Sequence, residues 1–268
     1  MIHLQSRGQY HYMSRYIKML LDDSNSISII SCRINLLDYK DLLTAIDKAI
    51  NDNLSLTITG ANAHIINLNE SDILFSNCIK EFDIIHFDGI GSFLAIRFLY
   101  PQLKDLKRIT GSDFYEKLIP HAIECNYSFY FFGDTSSTLS KLSSKHPRIK
   151  INGTHSGFDF NTYSVIEDIN NSNADIVIVG LGSGLQEKWI AQNKRKIKSK
   201  VIIAVGDGIK VFAGTKKRGP KFIQMIGLEW FVRFLYEPKR LWKRYFIGLP
   251  LFIFRIVKFK FQINKTDL

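Results

Sequence analysis

The chain has 268 residues, 46% of them hydrophobic and 23% charged, with a formal net charge of +11 and three cysteines, Cys32, Cys78 and Cys125. That length holds one large α/β domain or one domain with an appendage, and the apolar fraction excludes a disordered chain. The cysteines are few and widely spaced, with no CxxC and no zinc spacing, so they read as reduced thiols of a cytosolic protein.

Residues 1–16 carry His, Arg, Gln and Tyr and no apolar run, so no signal peptide is read there. The longest apolar stretch, residues 245–257, is broken by Gly248, Pro250 and Arg255 and falls short of a membrane span. Charge is unevenly placed. Residues 215–268 hold 13 Lys/Arg and 3 Asp/Glu, whereas the first 214 residues hold 23 and 22. This asymmetry points to a polyanionic partner for the C-terminal fifth.

Residues 1–25 show no assignable motif. A strand is expected over 26–32. Leu42, Leu43, Ile46 and Ile50 recur at helical spacing and predict a helix over 38–50 with Asp38 as its cap. Residues 54–59 alternate as a strand, followed by Gly60, Asn62 and His64 and a short helical run. A helix over 71–79 precedes the strand 82–87, which ends in Asp88-Gly89 and leads to a helix over 92–99. Ser112-Asp113 are read as the cap of a helix over 114–124. Residues 128–132 form an almost wholly aromatic strand, which should be central and buried. Then come a helix over 135–144, a strand over 148–153 and a helix over 164–170. An apolar strand over 174–179, a helix over 186–197 and a last strand over 201–205 complete the series. Alternation throughout predicts an α/β, Rossmann-like, mostly parallel sheet with helices on both faces.

Asp88 is the candidate catalytic residue. A carboxylate at the C-terminal tip of a buried strand, followed by Gly89 and Gly91, stands where open α/β sheets place their chemistry; the bland alternative is a turn aspartate. The loop Gly180-Leu181-Gly182-Ser183-Gly184 joins a buried strand to a helix. Its glycines and the free N–H groups of the helix suit a phosphate, or simply make a strand–helix turn. It is neither G-x-G-x-x-G nor a Walker loop. His64, His86 and His155 show no metal spacing, and no DxD-type carboxylate pair follows a strand, so neither metal nor cofactor is expected.

Four motifs occur in series: Phe82-Asp-Ile-Ile-His-Phe-Asp-Gly-Ile-Gly91, Arg108-Ile-Thr-Gly-Ser-Asp113, Gly180-Leu-Gly-Ser-Gly-Leu-Gln-Glu-Lys-Trp-Ile190 and Gly227-Leu-Glu-Trp-Phe-Val-Arg233. Together they resemble the WecG/TagA/CpsF family of bacterial glycosyltransferases, glycosyltransferase family 26, over residues 26–258. The resemblance implies an inverting, metal-independent transfer from a nucleotide sugar, usually UDP-linked, to a polyprenyl-diphosphate-linked saccharide. The site implied is the cytoplasmic membrane face, in surface polysaccharide synthesis. It maps the general base onto Asp88, and substrate-binding roles onto Asn62, Arg108, Gln186 and Glu187, with Gly182 in the glycine loop. The structural alternatives are helix capping for Asn62 and, for Glu187, an acidic residue favourable to the dipole at a helix start. Two positions depart from the family: Gly184 stands where proline is usual, and Lys210 where an acidic residue is common.

The expected organisation is an unassigned segment 1–25, a catalytic domain 26–214 and a basic, aromatic-rich appendage 215–268. The appendage interleaves its Lys and Arg with Trp230, Phe231, Phe234, Leu235, Trp242, Tyr245, Phe246, Phe252 and Phe254. That pattern suits docking on an anionic membrane surface better than reading a nucleic-acid groove. A non-enzymatic nucleic-acid-binding module is the rival reading, and homo-oligomerisation is left open.

Overall fold

The computed structural model describes residue 19, residues 22–216 and residues 218–266. Most of segment 1–25 and Lys217 of the basic cluster lie outside the described residues.

The described chain opens with a hairpin, β1 (Ser26–Ile29) and β2 (Cys32–Asn35), paired antiparallel. A single strand was expected over 26–32. The apolar pattern runs unbroken through the reversal at Ile30-Ser31, where Ile30 adopts φ 59°, an unusual conformation for a β-branched residue.

Helix α1 (Tyr39–Asn51) is held by a capping box in which Asp38 accepts from the Asp41 N–H and Asp41 accepts from the Asp38 N–H. It leads to β3 (Leu56–Ala61), α2 (Ala63–Ser71), α3 (Ile73–Ile79), β4 (Ile84–Phe87) and α4 (Gly89–Leu99). Helix α5 (Gly111–Glu124) is capped by Thr110, whose hydroxyl accepts from the Asp113 N–H. The expected cap, Ser112-Asp113, is instead in the first turn.

Strand β5 (Ser128–Gly133) is buried at every residue, as its aromatic sequence predicts. Two four-residue helices, α6 (Ser136–Leu139) and α7 (Leu142–Lys145), replace the single expected helix. Then come β6 (Lys150–His155), α8 (Thr162–Ser172), β7 (Ile176–Gly180), α9 (Leu185–Asn193), β8 (Val201–Ala204) and α10 (Ile209–Phe212).

The eight strands are ordered β1-β2-β4-β3-β8-β7-β5-β6, and every pair beyond the hairpin is parallel. Two carboxylates clamp the sheet in the same way. Asp83 accepts from the Thr57 N–H and hydroxyl, and Asp175 from those of Ser128. Helices cover both faces. One face packs Phe129, Phe131 and Phe212 with α1 and α5; the other packs Tyr130, Phe132 and Trp189 with α4 and α8.

The C-terminal segment is a chain of short helices, α11 (Lys221–Met225), α12 (Glu229–Tyr236) and α13 (Pro238–Trp242), then a π-helical stretch, Lys243–Gly248, and the long α14 (Leu249–Thr266). It folds back on the sheet domain. Arg255 donates to the carbonyl and side-chain oxygens of Asn67 on α2, at 3.0 and 2.9 Å, and the Lys260 ammonium donates to the Leu99 carbonyl at the end of α4, at 2.8 Å.

Candidate active site

Strands β3, β4, β7 and β8 end along one edge, and the loops that follow them carry Asn62, Asp88, Gln186 and Asp207. All four line a single cavity of about 780 Å³. The edge is formed by the C-terminal ends of parallel strands, the side on which open α/β sheets bind ligands.

Asp88 occupies the N-cap position of α4, yet its side chain makes no capping bond. Its Oδ1 accepts from the Gly111 N–H at 2.7 Å, so the start of α5 fixes the carboxylate from across the cavity. The backbone is held too, with the Asp88 N–H donating to the Ala61 carbonyl at 3.1 Å. Gly60 lies beneath; a Cβ there would sit 3.1 Å from both Asp88 Cβ and His86 Cε1. His86 is buried behind Asp88, and burial lowers its pKa although the Asp88 carboxylate and the Phe87 carbonyl oppose this.

Of the other residues expected in the site, Asn62, Arg108, Gln186 and Glu187 all line the cavity, and each is also bonded to its surroundings. Arg108 lines the cavity and donates to the Gln224 carbonyl of α11 at 2.7 Å. Asn62 caps α2, accepting from the His64 and Ile65 N–H groups, and the same oxygen accepts from Arg244 at 3.1 Å. Gln186 is buried; its Oε1 accepts from the Gly206 N–H at 2.7 Å and its Nε2 donates to Glu187 at 2.7 Å. Glu187 accepts in addition from the Gly184 N–H at 2.6 Å and the Thr59 hydroxyl at 3.3 Å, and burial pushes its carboxyl up. These bonds tie β3, α9 and the loop after β8 into one block. Gly182 has φ 91°, which suits glycine, and it is Ser183 rather than Gly182 that faces the cavity.

The sequence reading assigned no site role to several lining residues. Lys216, Arg218, Arg233 and Arg244 all line the cavity with Arg108. Lys216 donates to the Ser112 hydroxyl at 2.8 Å, and burial lowers its pKa. Arg218 joins Asp113, Glu116 and Glu229. Arg233 pairs with Asp207 at 3.1 Å. Burial pushes Asp207 up, but Arg233, Lys216 and Lys210 more than reverse this and hold its carboxyl below the usual value. Arg244 is different. Among the described residues its hydrogen bond is to the neutral Asn62, it has no carboxylate within ion-pair distance, and burial lowers its pKa. A cation held in a cavity without a carboxylate partner is a ready site for an anion. The sequence signals for these residues were the C-terminal charge excess and, for Arg233, its place at the end of the fourth motif. Lys210, the departure from the family pattern, lies outside this cavity, against Asp207 at 3.2 Å and Asp134 at 3.8 Å.

Among the described residues, one trio groups metal-ligand types, Asp47, His121 and Cys125, and none of the three lines the cavity. The cavity can therefore do two things with its own groups: accept a proton at Asp88 and neutralise an anion of more than one charge beside it.

The family model described as "Glycosyl transferase WecG/TagA/CpsF family" matches residues 27–266. Two curated relatives, from Staphylococcus aureus strains MRSA252 and NCTC 8325 / PS 47, are each 28% identical over 216 residues, covering 79% of this chain and 84% of theirs. Both bear the name N-acetylglucosaminyldiphosphoundecaprenol N-acetyl-beta-D-mannosaminyltransferase.

Proposed function

The chain belongs to the WecG/TagA/CpsF family and is a glycosyltransferase, and from that premise we propose an inverting transfer of a sugar from a nucleotide donor, of the UDP class, to a saccharide carried on a polyprenyl diphosphate. The pathway served is assembly of a bacterial surface polysaccharide. The observation that carries this reading is the pairing, in one cavity, of Asp88 with the unpaired cation Arg244 and its basic neighbours.

Gly111 holds one oxygen of Asp88 and leaves the other for the acceptor. That oxygen takes the proton from the acceptor hydroxyl as the hydroxyl oxygen bonds to the anomeric carbon. The bond from that carbon to the nucleotide diphosphate breaks on the opposite side, which inverts the centre. Negative charge then grows on the departing diphosphate, and Arg108, Lys216, Arg233 and Arg244 are already in place to meet it. Asn62, Gln186 and Glu187 serve mainly as the frame that fixes these groups.

The C-terminal segment docks the enzyme on the inner face of the plasma membrane. Among the described residues no helix is long and apolar enough to cross a bilayer. Trp242, Phe246 and Phe254 are 45%, 67% and 65% exposed, and Lys239, Lys243 and Lys258 stand exposed near them. Aromatics at headgroup depth and lysines near anionic lipid, each worth on the order of 1 kcal/mol, make a reversible anchor.

The test is transfer from a panel of UDP-, GDP- and TDP-sugars to a short-chain prenyl-diphosphate N-acetylglucosamine. UDP-N-acetylhexosamines, N-acetylmannosamine first given the relatives' names, are expected to give product. No transfer from any nucleotide sugar would end this reading.

A further inference from the structure

The cavity lining changes character along two helices. Helix α4 begins at Asp88, and its Leu94, Ala95 and Phe98 line the cavity on the way to Leu99. Helix α14 begins just after the π-helical stretch that carries Arg244, and its Phe252, Ile253, Ile256 and Val257 line the same cavity. The bond from Lys260 to the Leu99 carbonyl joins the two helices at their far ends. Both therefore run side by side away from the polar chemistry. At 1.5 Å per residue, the wall between them extends to about 15 Å from Asp88.

Ala95, Phe252 and Ile256 are buried and form the floor of this wall. Leu94, Phe98, Ile253 and Val257 stay 57%, 49%, 55% and 39% exposed above it. Helices packed ridge into groove would cover such side chains with one another. Here they border an open apolar cleft that continues into a pocket of cations.

We propose that this cleft takes the first isoprene units of the lipid acceptor, with the acceptor diphosphate directed to the cavity's cations and its sugar hydroxyl at Asp88. The inference rests on the acceptor reading above. The occupant must be an amphiphile with an anionic head and an apolar tail, because the lining has those two parts in that order. A nucleotide sugar is polar along its whole length and leaves the apolar part unfilled. The cleft thus measures the acceptor's chain, whereas the exposed aromatics of the segment meet the bilayer.

The experiment compares kcat/KM for two soluble acceptors with the same saccharide diphosphate, one on a long-chain prenyl and one on a single-isoprene tail, at constant detergent. Taking the ratio within each preparation removes any effect of a partly folded sample. Wild type is expected to prefer the longer acceptor on the order of tenfold, a modest share of the burial available to isoprene units. The double variant Leu94→Ser/Val257→Ser, which makes the cleft polar, and Ile253→Trp, which fills it, are both expected to bring the ratio near one. A wild-type ratio near one, or variants that keep the wild-type preference, overturns the cleft while the acceptor reading stands. A wild type that uses neither acceptor overturns the acceptor reading and the cleft with it. A drop in oligomeric state of the Leu94→Ser/Val257→Ser variant by analytical ultracentrifugation would show the cleft covered by a second copy instead.

Discussion

The sheet domain and the C-terminal segment follow opposite rules. In the domain, the strand residues Phe129, Phe131, Phe132, Ile176 and Ile178 have no exposed surface, and Glu187 is buried with its hydrogen-bond partners. In the segment, Leu241, Phe252 and Ile256 are buried, while Phe222, Met225, Leu235, Trp242, Phe246 and Phe254 stand exposed. Five of its cations, Arg218, Arg233, Arg244, Arg255 and Lys260, reach inward to carboxylates, carbonyls and an amide, while Lys239, Lys243 and Lys258 stay exposed. The segment thus exposes many large apolar side chains while turning part of its charge inward. One region carries Asp88, the other carries the arginines that line the same cavity and an exposed apolar surface.

The sharpest way to separate the two regions is Asp88→Asn, which keeps size and removes the base. Turnover is expected to fall roughly 10²–10⁴-fold, the usual range for a lost general base, with melting temperature and liposome binding unchanged. Near wild-type turnover would sink the assignment.

Arg244→Met asks whether the segment takes part in the chemistry at all. The expected loss in kcat is about 10–10²-fold, since one charge-assisted contact to the leaving diphosphate disappears while Arg108, Lys216 and Arg233 remain. A change confined to liposome affinity would place Arg244 with the anchor and not with the site.

The converse variant, Trp242→Ser/Phe246→Ser/Phe254→Ser, removes exposed aromatics that the fold does not bury. Sedimentation with anionic liposomes is expected to drop several-fold, with transfer to a short soluble acceptor retained. Unchanged sedimentation would refute the docking surface.

A smaller effect concerns His64, whose pKa is pushed down to about 4 by burial and by Arg244. Its unfolded form titrates near the ordinary 6.5, so between these values the unfolded chain holds the extra proton. Stability from keeping His64 neutral is therefore complete above pH 6.5 and is lost as pH falls toward 4. His64→Gln should flatten the fall in melting temperature over that window; an equally steep fall in the variant would show that other groups set it.

Chelation should have the least effect. The carboxylates of the cavity are already engaged, Asp88 by Gly111, Asp207 by Arg233, Glu187 by Gly184 and Glu229 by Arg218. Transfer is expected to survive EDTA, and loss that magnesium or manganese restores would contradict the role given to the arginines.

Periodicity carried most of the fold, because strands buried on both faces and helices of period 3.6 leave direct marks. The hairpin at Ile30 left none, since nothing in Ile-Ile-Ser signals a turn and pairing with β4 is a tertiary matter. The position of Asp88 was legible because it is local: the end of a strand, then glycines. Which of the segment's arginines enter the cavity was not, since only the folding of the segment over residues more than a hundred positions away brings Arg233 and Arg244 beside Asp88. Arg233 stood in the fourth motif, but no spacing in the sequence singles out the arginines that turn inward. Glu187 shows the opposite case. This motif residue lines the cavity and also accepts from the Gly184 N–H, and no sequence spacing reveals the second bond.

The single oxygen of Asn62 has a consequence for turnover. It receives two helix N–H groups and Arg244, so the arginine rests on a neutral acceptor that keeps its other bonds when the arginine departs. A diphosphate attracts a guanidinium more strongly than an amide oxygen does. A diphosphate bound in the proposed site would thus compete with Asn62 for Arg244, and the amide oxygen would keep its two helix N–H bonds whichever partner the guanidinium takes.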